Sequence, residues 1–158
     1  MKSSNVKTNA IRALDKDKIN YSIHEYDNTC TDGKMVARLV SIDENKVFKT
    51  LVTVDNKKTY FIFCVPVNKT LNLKKAALVV GAKSIEMIPQ KDLLPLTGYI
   101  HGGCSPIGMK KRFTTTIDEH ALSFDTICVS GGKVGVQIEV NTKDLIKYLN
   151  CKTADLVD

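Results

Sequence analysis

The sequence has no tryptophan, only four prolines, and no apolar run approaching the ~20 residues of a membrane-spanning helix. The missing tryptophan excludes nothing, whereas the missing run excludes a helical span. The opening residues, MKSSNVKTNA, lack the apolar stretch of a secretory signal. No basic amphipathic helix carries the bulky aromatics that would seat it in a lipid interface, so no membrane partner is expected. The five cysteines (Cys30, Cys64, Cys104, Cys128, Cys151) are odd in number, with no CxxC pair and no histidine at metal-ligand spacing. That argues against a zinc ribbon or a disulfide framework and for reduced thiols in the cytoplasm. GxSxG, Walker, HExxH and GxGxxG motifs are all absent, so four common enzyme classes lack support. Neither repeats nor low-complexity tracts nor a linker divide the chain, which predicts one domain over residues 1–158.

What is present is an ordinary globular balance, 43% hydrophobic and 25% charged, with a basic excess. Lys and Arg number 23 against 17 Asp and Glu, a formal charge of +6. Such a field concentrates polyanions, so nucleic acid is the natural partner. The stretch from Thr97 to Arg112, TGYIHGGCSPIGMKKR, gathers Gly102-Gly103, Pro106 and the trio Lys110, Lys111 and Arg112. Paired glycines leave main-chain N–H groups uncovered, and adjacent cations suit a phosphate. The same residues also fit a plain turn followed by solvated surface.

Periodicity predicts alternating helices and strands. A short amphipathic helix runs to about Lys18, with Ser3, Ser4 or Asn5 as its cap, and a rim strand covers Tyr21 to Tyr26. A helix follows over Lys34 to Val40. Lys46 to Val54 and Thr59 to Val67 form a hairpin through Asp55-Asn56-Lys57, and Pro66 suggests an edge position at its end. Leu73 to Val80 is a helix closed by Gly81; Ile85 to Ile88 is extended, and Gln90 to Leu94 is a helix stopped by Pro95. Thr114 to Ile117 reads as a strand, while Ala121 to Phe124 fits helix and strand equally. Asp125 to Val129 and Val134 to Val140 make a second hairpin around Ser130-Gly131-Gly132-Lys133, and Thr142 starts a closing helix. Interleaved elements of this kind define an α+β fold.

The first of the two hairpins carries an anomaly. The strand KVFKTLVTV is mainly apolar on both faces, and Lys49 is the unexpected residue, whose ammonium loses hydration there unless a ligand or acceptors compensate. That places Lys49 in a pocket wall; the alternative is a stem on apolar surface with its head in water. Cys104 and His101 are a possible thiol pair, but no third group orients the histidine. His24 and His120 read as structural, and the carboxylate pairs Asp43-Glu44 and Asp118-Glu119 as helix-start residues. The residues by themselves describe a basic domain with one anion-binding cleft, built from Lys49 and two Gly-Gly turns. They name no reaction.

Several separated motifs, in one order, resemble the YbaK/EbsC-like aminoacyl-tRNA deacylases. They are Val47-Phe48-Lys49-Thr50-Leu51, Leu71 to Ala76, Gly81-Ala82-Lys83 with Glu86-Met87, and Thr97-Gly98-Tyr99 with Gly102-Gly103 and Ser105-Pro106. Gly108 with Lys110-Lys111-Arg112 and Val129 to Lys133 with Gly135 complete the set. The resemblance implies a mixed, mostly antiparallel sheet curled into a partial barrel with surrounding helices, as in the editing domain of some prolyl-tRNA synthetases. It also implies hydrolysis of cysteine from mischarged tRNA(Pro), with Lys49 as the key residue and no metal or organic cofactor. By the same resemblance Tyr26, Thr50, Gly102, Gly103, Ser130, Gly131 and Gln137 contact the aminoacyl-adenosine end. Lys110, Lys111, Arg112 and Lys133 are candidates for the tRNA itself, and prolyl-tRNA synthetase for a partner. In YbaK-type members the attacking group is the substrate's own thiol. Three positions depart from the family: Cys104 replaces an aliphatic residue, Gln137 replaces an acid found in some members, and an early-loop aromatic has no counterpart between Thr29 and Lys34. Rival readings are an enzyme for alanyl-tRNA(Pro) or a broader range of esters, and a module that binds RNA ends without catalysis.

Overall fold

A computed structural model describes residues 6–158. Its spine is the hairpin of β2 (Phe48–Asp55) and β3 (Tyr60–Pro66), antiparallel from Phe48 opposite Pro66 to Val54 opposite Tyr60. The Asp55 carboxylate closes the turn by accepting from the Lys57 and Thr59 N–H groups, each at 2.8 Å. Alternation sends the two sets of side chains into different cores, which is why the hairpin is apolar on both faces. Phe48, Val52, Ile62 and Cys64 face Val129, Ile138 and Ile107, whereas Leu51, Phe61, Phe63 and Val65 pack against Ala76, Ala77 and Leu156.

Five strands make the larger sheet, in the order β4 (Ile85–Met87), β2, β3, β5 (Thr114–Asp118) and β8 (Lys152–Ala154). The β3–β5 and β5–β8 pairs are parallel and the remainder antiparallel. A smaller antiparallel sheet holds β1 (Tyr21–Glu25), β7 (Val136–Asn141) and β6 (Thr126–Ser130), in that order. One parallel bridge, Val47 to Cys128, ties the sheets together beside the start of β2. The sheets do not close into a barrel.

The helices follow local chemistry. Thr8 caps α1 (Asn9–Lys16), its hydroxyl oxygen accepting from the Ile11 N–H at 3.1 Å. The expected caps Ser3, Ser4 and Asn5 lie outside the described residues. Next come α2 (Gly33–Leu39) and α3 (Leu73–Val80), and Gly81 ends α3 in the left-handed region at φ 71°. Asn141 caps α5 (Thr142–Leu149), accepting from the Asp144 N–H at 3.0 Å.

One expectation changes, one holds locally and one ambiguity is resolved. Pro95 does not stop a helix: a 3-10 turn over Gln90–Asp92 leads into α4 (Leu93–Thr97), and Pro95 sits in its first turn, where an absent N–H breaks no helical bond. Pro66 ends the middle strand of the larger sheet, and one side of that strand is open there, as the proline suggested. It is tolerated because β5 pairs with β3 only from Phe61 to Cys64. The ambiguous segment near Ala121 is a 3-10 turn, Glu119–Ser123, capped by the side chain of Asp118.

Candidate active site

The two hairpins bring their ends to one cleft of about 440 Å³. Its floor is the start of β2, contributing Phe48, Lys49 and Thr50. Residues Thr31 to Gly33 and Val36, at the N-terminal side of α2, form one wall; Gly102, His101 and Cys104 form another. Ser130 at the end of β6, Gln137 near the start of β7, and Tyr26 just past β1 complete the lining. Six of the residues singled out by sequence therefore meet: Lys49, Tyr26, Thr50, Gly102, Ser130 and Gln137.

Lys49 is half-buried, and among the described residues its ammonium forms neither a hydrogen bond nor an ion pair. Burial lowers its pKa below the ordinary lysine value, and the negative charge of Asp32 works in the opposite sense. Thr50, its neighbour, lines the same cleft, and its hydroxyl lies 3.8 Å from the Cys64 sulfur. From β7, Gln137 lines the cleft too; it is 7% exposed and its Oε1 has no hydrogen-bond partner among the described residues. Ser130 is equally enclosed and accepts from the Gly132 N–H at 3.1 Å.

The glycine turns act through close packing more than through bare amides. Gly102 has φ 86°, and a Cβ there would lie 2.7 Å from the Thr31 side chain. At Gly103 a Cβ would come within 2.8 Å of the Lys133 Cα, so the two Gly-Gly turns lie backbone against backbone. Gly103 N–H donates to the Ile100 carbonyl, Gly131 N–H to that of Val136, and Gly132 N–H to Ser130. Of these four glycine amides, only that of Gly102 is without a partner among the described residues. Gly103 and Gly131 support the rim without lining it. Tyr99 holds the loop beneath, its hydroxyl donating to the Ile107 carbonyl at 2.5 Å.

The four cations proposed for tRNA do not line this cleft. Lys111 and Arg112 border a separate hollow with Tyr148, and Arg112 donates to the Tyr148 carbonyl at 3.0 Å. Lys110 reaches the Pro95 carbonyl at 3.4 Å. Lys133 lines a shallow groove that meets the cleft at Tyr26.

Cys104 lines the cleft but is 9% exposed, and burial pushes its thiol up to about 12. It stays protonated at neutral pH, so a thiolate nucleophile is not available there. His24 and Glu139 pair at 2.9 Å on the polar face of the smaller sheet, with Lys46 on the other carboxylate oxygen at 3.1 Å. Cys128 lies beside them, giving three metal-type donor atoms within 4.8 Å of one another. Lys46 already neutralises that carboxylate, so the set reads as an ion-pair network.

Asp32 is the acidic lining residue that sequence reasoning missed. It precedes α2 as the N-cap, yet its side chain makes no cap hydrogen bond. The signal was an acid immediately before a helix, which as a rule is engaged by that helix.

The arrangement is a partly desolvated pocket with one lysine and one acid in its lining, and comparison with known proteins gives the family. The profile of the aminoacyl-tRNA editing domain matches residues 28–148. A protein of Enterococcus faecalis, provisionally named Cys-tRNA(Pro)/Cys-tRNA(Cys) deacylase EbsC, is 41% identical over 157 residues, covering 98% of this chain and 96% of its own. A crystal structure described as a provisional trans-editing enzyme for prolyl-tRNA synthetase superposes with TM-score 0.84 at 24% identity, covering 98% of this chain and 99% of that one. The hypothetical protein APE2540 gives TM-score 0.87 at 19% identity, over 95% and 99% of the two chains. The two structures establish the fold alone; the sequence matches establish kinship. The chain belongs to the aminoacyl-tRNA editing domain family.

Proposed function

We propose that this protein hydrolyses the ester joining cysteine to tRNA(Pro), acting in trans on tRNA released by the synthetase. The observation that carries the reading is the unpaired, half-buried Lys49 ammonium in a cleft of about 440 Å³. An ammonium partly shielded from water stabilises charge that develops on an ester oxygen more than it stabilises the neutral ground state. Lys49 and the Gly102 N–H face the carbonyl oxygen; Tyr26, Thr50 and Ser130 hold the aminoacyl-adenosine end.

Among the described residues none at this cleft is an activated nucleophile, and a cysteinyl ester brings its own. The substrate sulfur bonds to the carbonyl carbon, and the ester C–O bond breaks. The ribose oxygen leaves with the electron pair and takes up the proton given up by the thiol, and water then opens the strained cyclic thioester to free cysteine. The protein's contribution is orientation and charge stabilisation. Alanine has no such thiol, so alanyl-tRNA(Pro) is the poorer substrate on this mechanism. Net charge +6 favours tRNA, and a synthetase partner would supply recognition of the tRNA body. The test is incubation at enzyme excess with Cys-, Ala- and Pro-tRNA(Pro). Loss of the cysteinyl ester first supports the reading, and survival of all three esters overturns it.

A further inference from the structure

The cleft contains a buried acceptor that nothing in the protein satisfies. Gln137 is 7% exposed, its Oε1 lacks any partner, and it lines the cleft from β7. Buried side-chain oxygens are nearly always hydrogen-bonded, so this one calls for a donor from outside. In the same cleft Asp32 offers a carboxylate with no cap bond and no ion pair among the described residues, and its charge is felt at Lys49. One neutral acceptor and one negative charge, facing a common space, suit a small cation with several N–H groups. They do not suit a phosphate or a carboxylate.

We propose that Asp32 and Gln137 form a subsite for the protonated α-amine of the aminoacyl group, in the same cleft in which Lys49 takes the ester carbonyl. This rests on the deacylase reading above and adds to it the chemical form that the cleft accepts. Lys49 alone would repel an α-ammonium, so a substrate carrying one requires a counter-charge, and Asp32 is the lining residue that supplies it. The ammonium has three donors: the carboxylate takes one or two and the amide oxygen another. The aminoacyl group is thereby held through its amine by Asp32 and Gln137 and through its carbonyl by Lys49. Esters whose amine is blocked or absent lose that hold. The cleft thus selects free aminoacyl esters over peptidyl esters.

The test compares Cys-tRNA(Pro) with the same tRNA carrying the α-hydroxy analogue, which is close in size and uncharged. Each rate is divided by its uncatalysed rate, because the ammonium also activates the ester. The wild-type protein prefers the amine by about tenfold or more in kcat/KM, the scale of one charge-assisted hydrogen bond. Asp32→Asn, at an exposed position, reduces that preference to within about threefold, and Gln137→Leu reduces it in the same direction. Equal treatment of both esters by the wild type, or full preference kept by Asp32→Asn, overturns the subsite while leaving the deacylase reading standing. Should the wild type cleave neither ester, the deacylase reading itself falls and takes the subsite with it.

Discussion

Lys49 and Gln137 face one cleft from two different sheets, and the polar end of neither has a partner among the described residues. Gln137 Oε1 is withdrawn from water and Lys49 partly so, a state that lowers stability and is tolerated where a ligand completes it. On the proposed function, activity and stability oppose each other at these positions.

Replacing Lys49 separates the two effects. Lys49→Met keeps the stem and removes a desolvated charge, so the protein gains about 1 kcal/mol or holds its stability, read as Tm. Deacylation falls by about 10²–10³-fold, the usual cost of losing a donor to a developing oxyanion.

The contact between the glycine turns is tight enough to break. Gly103→Ala places a methyl 2.8 Å from the Lys133 Cα, against backbone that cannot rotate away. Urea denaturation should show a loss of about 1–3 kcal/mol. Gly81→Ala has open space around it and meets only the strain of φ 71°, so it costs about 1 kcal/mol.

Acid stability depends on Glu139. Burial alone would raise its pKa, but hydrogen bonds from Thr126, His24 and Lys46, with the Lys46 charge, bring it down to about 2 from 4.5. A carboxylate with a depressed native pKa contributes stability above its unfolded pKa and loses it as pH falls through the native one. Denaturation between pH 4.5 and 2 should thus show a steep loss of stability in the wild type and a flatter one in Glu139→Gln. The difference is on the order of 2–3 kcal/mol at most, less the screening of a partly exposed pair.

Cys104 is a wall and not a nucleophile. Cys104→Val keeps deacylation within about threefold, because a thiol held at about 12 has almost no thiolate to lose. Inactivation of the wild type by a small alkylating reagent at neutral pH, relieved in Cys104→Val, would contradict this.

Much of this site was legible before any coordinates. The break in the apolar alternation of KVFKTLVTV identifies Lys49, because a two-sided strand has no ordinary place for an ammonium. The two Gly-Gly pairs mark where backbones approach, and they do meet, though with each other more than with a ligand. The basic trio Lys110 to Arg112 misleads, since adjacency in sequence to Gly102-Gly103 says nothing about which side of the loop its side chains leave. Two of the three reach main-chain carbonyls away from the cleft. β8 is too short to carry a period, and it exists because β5 offers a free edge and the buried Asp118 accepts from the Leu156 N–H at 2.9 Å. Asp32 was hidden by its own suitability as a helix cap.

The role proposed for Lys49 is to stabilise the ester's transition state and not to bind tRNA. Single-turnover deacylation of Cys-tRNA(Pro) by the wild type and by Lys49→Met, with tRNA affinity measured on the same preparations, tests it directly. The account predicts a rate at saturation lower by about 100-fold or more, with affinity changed by less than about threefold. An unchanged saturated rate with weakened affinity would contradict it, and would make the protein a binder of tRNA ends.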